Sequence, residues 1–182
     1  MKRIFLLLVS ICNVLTASAQ DDDVKGFDRS KLFVGGNFGA GFGNVMTSVN
    51  VSPQIGYRFS RHFAAGAGVN FQYNSYKYAG YKEVYGFSGL NVFGRVYPID
   101  YILLQAQPEL NYSWGKFKPN DGSPSYKFPG KFVPSLLLGG GAAIPTGGNG
   151  AFLITIMYDV IQDARSPYSN KAFYNFGYNI GL

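Results

Sequence analysis

Apolar and polar residues alternate along most of the chain after residue 30. In the stretch 101–114, one alternate set is mostly apolar and the other mostly polar: Ile102, Leu104, Ala106, Pro108, Leu110, Tyr112 and Trp114 against Tyr101, Leu103, Gln105, Gln107, Glu109, Asn111 and Ser113. A period of two indicates a β-strand with two unlike faces. The stretches 49–60 and 63–74 repeat the pattern. All three exceed the roughly five or six residues usual in strands of soluble proteins.

The same pattern predicts eight strands, at 32–42, 47–60, 62–74, 82–97, 101–115, 131–144, 150–160 and 170–182. Two of them are less regular than the others. The fourth changes phase between Tyr85 and Gly89, which predicts a bulge near Gly86 or Gly89. In the sixth, the segment from Pro134 to Gly141 is too uniformly apolar for its faces to be assigned.

The predicted connections alternate in length. Those at 60–62, 98–100 and 145–149 are tight, whereas those at 75–81, 116–130 and 161–169 are longer and polar, and the first, at 43–46, is short. Short turns at one end and longer loops at the other are typical of transmembrane β-barrels, whose short turns face the periplasm. An even number of strands then predicts that both termini are periplasmic.

The first residues have the features of an export signal. Lys2 and Arg3 precede an apolar stretch, and Ala17-Ser18-Ala19 supplies the small residues of a cleavage site before Gln20. We therefore predict a signal peptide at 1–19, a periplasmic tail at 20–30 and a barrel at 31–182. Cleavage would remove Cys12, the sole cysteine. After Gln20 no stretch is long and apolar enough for a membrane helix, so an exported chain in lipid must close into a barrel.

Composition and the distribution of aromatic residues decide which face meets lipid. Charged residues make up 14% of the chain, against roughly 25% in soluble domains. A soluble, lipocalin-like barrel would expose the polar set to water, where Lys and Glu would be expected instead of Gln, Asn, Ser and Gly. The apolar set also carries aromatics near both strand ends, as lipid-facing girdles do: Tyr57, Phe59, Phe63, Phe152 and Tyr178 at one end, and Phe42, Phe71, Tyr73, Tyr112, Trp114, Tyr158 and Tyr174 at the other.

With Ala-Ser-Ala before Gln20, eight alternating strands and the segment Leu90-Asn-Val-Phe-Gly-Arg-Val-Tyr-Pro98, the chain resembles the small OmpA/OmpX-like outer-membrane β-barrel proteins of Bacteroidetes-type bacteria, a porin-family barrel domain. The resemblance implies an all-β fold, an eight-stranded antiparallel up-and-down transmembrane β-barrel. It also implies recognition by the barrel-assembly machinery, because Tyr178, Ile180 and Leu182 share one face of the last strand. In this assembly signal the last residue is more commonly Phe or Trp, so Leu182 departs from the usual pattern.

Inward-facing charges predict how the lumen is filled. We expect a closed network of Arg58, Arg95, Gln105, Gln107, Glu109 and Asp159. Large inward aromatics are expected near the periplasmic end: Phe33, Phe93, Tyr97, Tyr101 and Phe173. An eight-stranded barrel is just wide enough for its own side chains. The alternative is a narrow passage for small or apolar solutes, similar to OmpW-like proteins, lined by Arg58, Arg95 and Glu109.

The outer rim is predicted to be basic. Lipopolysaccharide phosphates lie at that level and would be attracted by fixed cations. The expected contacts are Lys77, Lys82, Lys116, Lys118, Lys127 and Lys131. We thus expect a monomer with a structural or interaction role whose partners are outer-membrane lipid and lipopolysaccharide, with no nucleic acid partner, cofactor or metal.

An enzymatic role is not expected. The single histidine, His62, lies two residues from Ser60, and a Ser/His pair could in principle act as in lipid-modifying esterases. The pair falls in a tight turn at the periplasmic end, which favours a solvated turn. No phosphate-binding loop or zinc-peptidase motif is present in the sequence.

Overall fold

The computed structural model describes residues 27–168 and 171–182, which form a closed barrel. Each strand pairs antiparallel with the next, and the first pairs with the last. The strands are β1 (Leu32–Phe42), β2 (Met46–Arg58), β3 (Phe63–Lys77), β4 (Tyr81–Ile99), β5 (Ile102–Pro119), β6 (Tyr126–Gly147), β7 (Gly150–Asp159) and β8 (Phe173–Gly181). The predicted all-β, eight-stranded, up-and-down barrel is confirmed. The predicted signal peptide at 1–19 and most of the predicted tail lie outside the described residues.

The barrel has two unlike ends. At the terminal end, β1 begins, β8 ends, and tight turns join β2 to β3, β4 to β5 and β6 to β7. At the loop end lie the connections 43–45, 78–80 and 120–125, together with a long connection between β7 and β8, described at 160–168 and 171–172, that we call loop 7. A 3-10 turn, Arg29–Lys31, precedes β1. In residues 27–168 and 171–182, no helix is long and apolar enough to cross a membrane.

The pairing of β1 with β8 is the seam that closes the barrel. It aligns Phe33 with Gly181 and continues to Asn37 and Gly177, five positions on each strand. The pairing of β3 with β4 is far longer, from Phe63 opposite Val96 to Lys77 opposite Lys82. The seam is also the pairing in which the two strands lie far apart in sequence.

Alternate residues point into the lumen and towards the surroundings. On β5, Leu103, Gln105, Gln107, Glu109 and Asn111 are buried, whereas the residues between them are exposed, including Leu104 and Leu110. Exposed apolar side chains continue around the barrel on the other strands. Because a polar interior inside an apolar exterior is stable in lipid and not in water, the barrel is a transmembrane one. The predicted assignment of faces is confirmed.

Strands β5 and β6 are longer than predicted, and the predicted loop at 116–130 is wrong. The two strands continue as a hairpin to Pro119 and from Tyr126. Aromatic pairs stabilise this projecting part of the sheet, with Tyr81 and Phe117 stacked at 4.9 Å between ring centroids. Pro129 and Gly130, at the end of the predicted loop, are accommodated where the register shifts between Ser113 and Gly115.

The bulge predicted near Gly86 is also absent from the described pairing. The register of β4 against β5 runs unshifted from Tyr81 to Val96, and the irregularity lies between Val96 and Ile99. Gly86 instead leaves room for the ring of Trp114, which lies over it on the outward face. On β6, the faces that the sequence left open are now assigned, because Val133, Ser135 and Leu137 point inward.

Candidate functional site

An apolar layer closes the lumen near the terminal end. Phe33, Phe93, Tyr97, Leu103 and Leu153 are buried there, with Ala64 and Ala143 between them. Two of the aromatics predicted for this layer lie elsewhere. Tyr101 is 63% exposed in a turn. Phe173 begins β8 at the opposite, loop end of the barrel, where it stacks on Tyr168 at 4.5 Å.

Arg95 lies directly above this layer, 1% exposed. Its Nε donates to Gln105 at 2.7 Å and its Nη2 to Gln54 at 2.9 Å. With its amide oriented to satisfy both polar atoms, Asn179 accepts from Nη1 at 2.8 Å. The guanidinium also lies 4.2 Å from the ring centroid of Phe93. Because no carboxylate of the described residues contacts it, amide oxygens and an aromatic face replace the water that a buried cation requires.

A ladder of side chains on β5 connects Arg95 to Glu109. Gln105 Nε2 donates to Gln107 Oε1, and Gln107 Nε2 donates to Glu109 Oε1, both at 2.6 Å. Asn111 Nδ2 donates to the other carboxylate oxygen at 2.9 Å. These residues alternate along one strand, so all of them face the lumen. The opposite charges of Arg95 and Glu109 are therefore joined through two amides.

The ladder is braced from the neighbouring strands. Asn70 on β3 donates to Asn111 at 3.2 Å and accepts from Asn91 and from Ser52, each at 2.7 Å. Within the described chain, no buried side-chain polar atom lacks a hydrogen-bond partner. A cavity of about 30 Å³ beside Glu109, Asn111 and Tyr168 is large enough for about one water molecule. The polar layer thus links β2, β3, β4 and β5 across the lumen.

Loop 7 covers this layer from the loop end. Tyr168 Oη donates to Glu109 Oε2 at 2.7 Å. Asp159, at the end of β7 and 1% exposed, accepts from Ser166 Oγ at 2.7 Å and from the N–H groups of Leu136 and Ile161 at 3.1 Å. Asp159 therefore anchors loop 7 and does not contact the ladder directly, contrary to its predicted place in the network.

Arg58 lies outside the network to which it was assigned. It is exposed at the terminal end, with its guanidinium 5.4 Å from the ring centroid of Tyr97. The network that the structure forms contains Arg95, Gln105, Gln107 and Glu109 of the predicted set, with Gln54, Asn70, Asn91, Asn111, Tyr168 and Asn179 in addition. Arg58 is the last residue of β2, so its side chain extends beyond the apolar layer.

Five of the six predicted rim lysines lie together on the outward face of the projecting sheet. In one row, Lys82 on β4 is opposite Lys77 on β3 and Lys118 on β5. In the next row, Lys116 on β5 is opposite Lys127 on β6. Lys116 and Lys118 continue the face that carries Tyr112 and Trp114. We call these five residues the lysine rows.

The sixth lysine, Lys131, is placed differently. It is opposite Ser113, which faces inward, and its ammonium group lies 3.3 Å from Asp163 of loop 7. The backbone N–H of Arg165 is the main cause that lowers the pKa of Asp163, and Lys131 adds to it. In the described residues the side-chain ion pairs are this one and Arg61–Asp100, so the lysine rows contain none.

Ser60 and His62 occupy the tight turn between β2 and β3. Ser60 Oγ accepts hydrogen bonds from the backbone N–H groups of His62 and Phe63, at 3.2 and 3.1 Å. The hydroxyl thus stabilises the turn. Across residues 27–168 and 171–182, no group of three His, Cys, Asp or Glu side chains could hold a metal ion.

The architecture defines a class of protein. A closed antiparallel barrel of eight strands, with a polar interior and an apolar exterior between aromatic girdles, is the arrangement of small outer-membrane barrels. Rings pair near both ends, as Phe152 does with Tyr178 at 4.8 Å and Tyr112 with Phe132 at 5.3 Å. This agrees with the small-barrel resemblance, and the Bacteroidetes-type family stays a prediction.

No family model and no curated protein matches the chain. Among solved structures it is similar to Ail, the attachment invasion locus protein of Yersinia pestis, with 11% identity and a TM-score of 0.49, over 82% of this chain and 94% of Ail. It is also similar to the translocator domain of autotransporter NalP from Neisseria meningitidis, with 10% identity and a TM-score of 0.41, over 100% of this chain and 98% of that domain. Neither likeness bears on function.

Proposed function

We propose that the protein is an exported outer-membrane barrel with a structural and interaction role, which binds the phosphate groups of lipopolysaccharide through its lysine rows. The observation that carries the proposal is the pairing of Lys77, Lys82 and Lys118 in one row and of Lys116 and Lys127 in the next. Like charges directly opposite each other on neighbouring strands are destabilising. An anion bound between them removes that repulsion.

The position of the rows fits a phosphorylated lipid. They lie just beyond Tyr112 and Trp114, aromatic residues of the kind that mark the boundary between hydrocarbon and headgroups. Neighbouring strands are roughly 4.8 Å apart, so Lys77 and Lys118 are separated by roughly 10 Å at the backbone. Ammonium groups at this spacing can donate charge-assisted hydrogen bonds to phosphate oxygens from several sides.

The remaining features support an interaction role over a narrow channel. The apolar layer, the ladder from Arg95 to Glu109 and loop 7 succeed one another along the lumen, so a passage would require several of them to move. We further propose that the terminal end faces the periplasm and that the protein acts as a monomer. Ile180 and Leu182, exposed near the end of β8, would be available to the barrel-assembly machinery.

Binding of lipopolysaccharide in nanodiscs tests the proposal. Changing Lys77, Lys82, Lys116, Lys118 and Lys127 together to Gln should weaken binding at least tenfold, because each cation near an anionic surface contributes about 1 kcal/mol. Lys131→Gln is the matched control, since that lysine is already paired with Asp163. Dephosphorylated lipopolysaccharide should bind the wild type and the fivefold variant alike. Equal binding of intact lipopolysaccharide by both proteins would refute the proposed role.

A further inference from the structure

The terminal end of the barrel opens into a cavity of about 640 Å³. The apolar layer forms its floor, where Phe33, Tyr97, Ala143 and Leu153 each leave only a small edge uncovered. The turn between β6 and β7 and the residues that lead into β1 form its walls. Binding sites for small molecules have volumes of about 300–1,000 Å³ and apolar walls with a few placed polar groups, and they occur in the mouths of barrels.

The rim of this cavity has an excess of positive charge. Lys31, Arg58 and Arg61 line it, against the single side-chain carboxylate of Asp100. Asp100 binds Arg61 through two hydrogen bonds, at 2.6 and 3.0 Å. These hydrogen bonds are the main cause that holds the pKa of Asp100 below its ordinary value, and the positive charges of Arg61 and Arg58 add to it, so the carboxylate stays ionised. Lys31 and Arg58 are left without an ion pair among the described residues.

The Arg58 guanidinium contacts an aromatic ring, and this contact does not use its N–H donors. Its guanidinium lies over the ring of Tyr97, which is itself fixed in the apolar layer. The described part of the chain offers no acceptor that bonds to it. A guanidinium over an aromatic face can still present its N–H groups as a planar fork that matches a carboxylate or a phosphate. The contact with the ring also lowers the conformational entropy that binding would otherwise cost.

The floor and the rim together select the kind of ligand. A small inorganic anion would reach the cations but leave the apolar floor in contact with water. A neutral apolar molecule would cover the floor but gain nothing from Arg58 and Lys31. An organic anion with an aromatic or short aliphatic body satisfies both parts, because its charged group meets the rim while its body rests on the floor and displaces water from the exposed apolar lining, which includes Tyr101 and Leu182.

We propose that the terminal cavity binds small organic anions, with Arg58 as the anchor of the anionic group, Lys31 as a second cation, and Phe33 and Tyr97 as the surface for the apolar part. The site lies at the end of the barrel opposite the lysine rows and is independent of them. It would draw its ligands from the compartment that the terminal end faces.

The test follows the side-chain Nε–H signal of Arg58 by nuclear magnetic resonance in nanodiscs, assigned with Arg58→Lys. Titration with 1-naphthoate should shift this signal in a saturable manner. Acetate, which lacks the apolar body, and naphthalenemethanol, which lacks the charge, should each bind at least tenfold more weakly. Arg58→Gln should weaken naphthoate binding at least tenfold, measured on the ligand signals. Arg29→Gln, an exposed arginine that does not line the cavity, should leave it unchanged.

Two results would overturn the proposal. One is the absence of a saturable shift with naphthoate, and the other is an equal affinity in Arg58→Gln, since the probe would then be dissolving in lipid. In the first case, the acidic run Asp21-Asp22-Asp23 of the same chain is the alternative partner of the rim. If changing these three residues to Asn moves the Arg58 signal while naphthoate does not, the cationic rim serves the chain's own acidic segment. If naphthoate binds the triple variant at least as tightly as the wild type, the proposal stands.

Discussion

Tyr168 Oη donates a hydrogen bond of 2.7 Å to Glu109 Oε2, across 59 residues of sequence. The contact joins loop 7 to the side-chain ladder that fills the barrel. Glu109 also accepts from Gln107 and Asn111, so Tyr168 completes the set of donors that keeps this buried carboxylate satisfied. The loop is therefore part of the interior and not only a connection at the surface.

Tyr168→Phe should loosen loop 7 without unfolding the barrel. The change removes one hydrogen bond to a buried charged group, which is worth about 1.5–3 kcal/mol. The ring keeps its stacking on Phe173, so the apolar contacts persist. We expect faster proteolysis within residues 160–172 and faster exchange of their amide hydrogens. Tyr126→Phe, at an exposed position of the β5–β6 hairpin, is the control and should behave as the wild type does.

The wild type should give no stable conductance steps in planar bilayers. Tyr168→Ala should not conduct either, because the ladder and the apolar layer beneath it remain. Recording both proteins under the same conditions distinguishes closure of the lumen by loop 7 from closure by the ladder and the apolar layer. Steps from Tyr168→Ala alone would identify loop 7 as the barrier, and steps from the wild type would favour the channel hypothesis.

Arg95→Leu should destabilise the barrel by about 3 kcal/mol or more. Gln54, Gln105 and Asn179 would lose the donors that satisfy their buried oxygens, and Glu109 would lose the positive charge at the other end of the ladder. Urea unfolding in lipid vesicles measures the change. Arg58→Leu makes the same replacement at an exposed residue and should cost less than about 1 kcal/mol. Similar costs for the two arginines would contradict a stabilising role of the hydrogen bonds around Arg95.

The cost of placing an arginine on the lipid-facing surface should depend on its depth in the bilayer. Val92 and Ile99 are similarly exposed on β4, at 54% and 57%, but Val92 lies in mid-strand and Ile99 at the terminal end. An arginine costs about 2–4 kcal/mol at the bilayer midplane and about 0–1 kcal/mol near the interface. Val92→Arg should therefore impair assembly far more than Ile99→Arg, as judged by heat-modifiable migration in gels. Equal effects would mean that this face does not meet hydrocarbon.

Much of the barrel could be predicted from the period of two alone. The alternation from Ile102 to Trp114 determines both a strand and its two faces, and burial in the structure follows it residue by residue. The pattern is less informative where local composition misleads. The polar stretch 116–130 suggested a loop, but aromatic pairs across β4, β5 and β6 extend the sheet into it. Such pairs depend on the cross-strand register, which a single sequence does not reveal.

The candidate site could be predicted only in part, because alternation along a strand identifies inward residues but gives no information about irregular loops. Gln105, Gln107 and Glu109 are consecutive inward positions on one strand, so the pattern brings them together. Tyr168 and Ser166 lie in an irregular segment without periodicity, and nothing local indicates that this loop turns inward. Arg58 was misplaced because alternation gives the side of the sheet but not the height along the barrel axis. Its position at the end of β2 carries it past the apolar layer.

The short seam between β1 and β8 has a consequence for the order of events during folding. Every other pairing is a hairpin of neighbouring strands and can form locally, whereas the seam joins Phe33 to Gly181 across almost the whole described chain. Contacts between such distant residues form slowly, because the entropy of closing a long loop is lost before any contact compensates it. The five aligned positions of the seam contribute little stabilisation until the whole curved sheet has formed. Barrel closure is therefore expected to be the last and rate-limiting step, and the seam the place where the finished barrel first reopens.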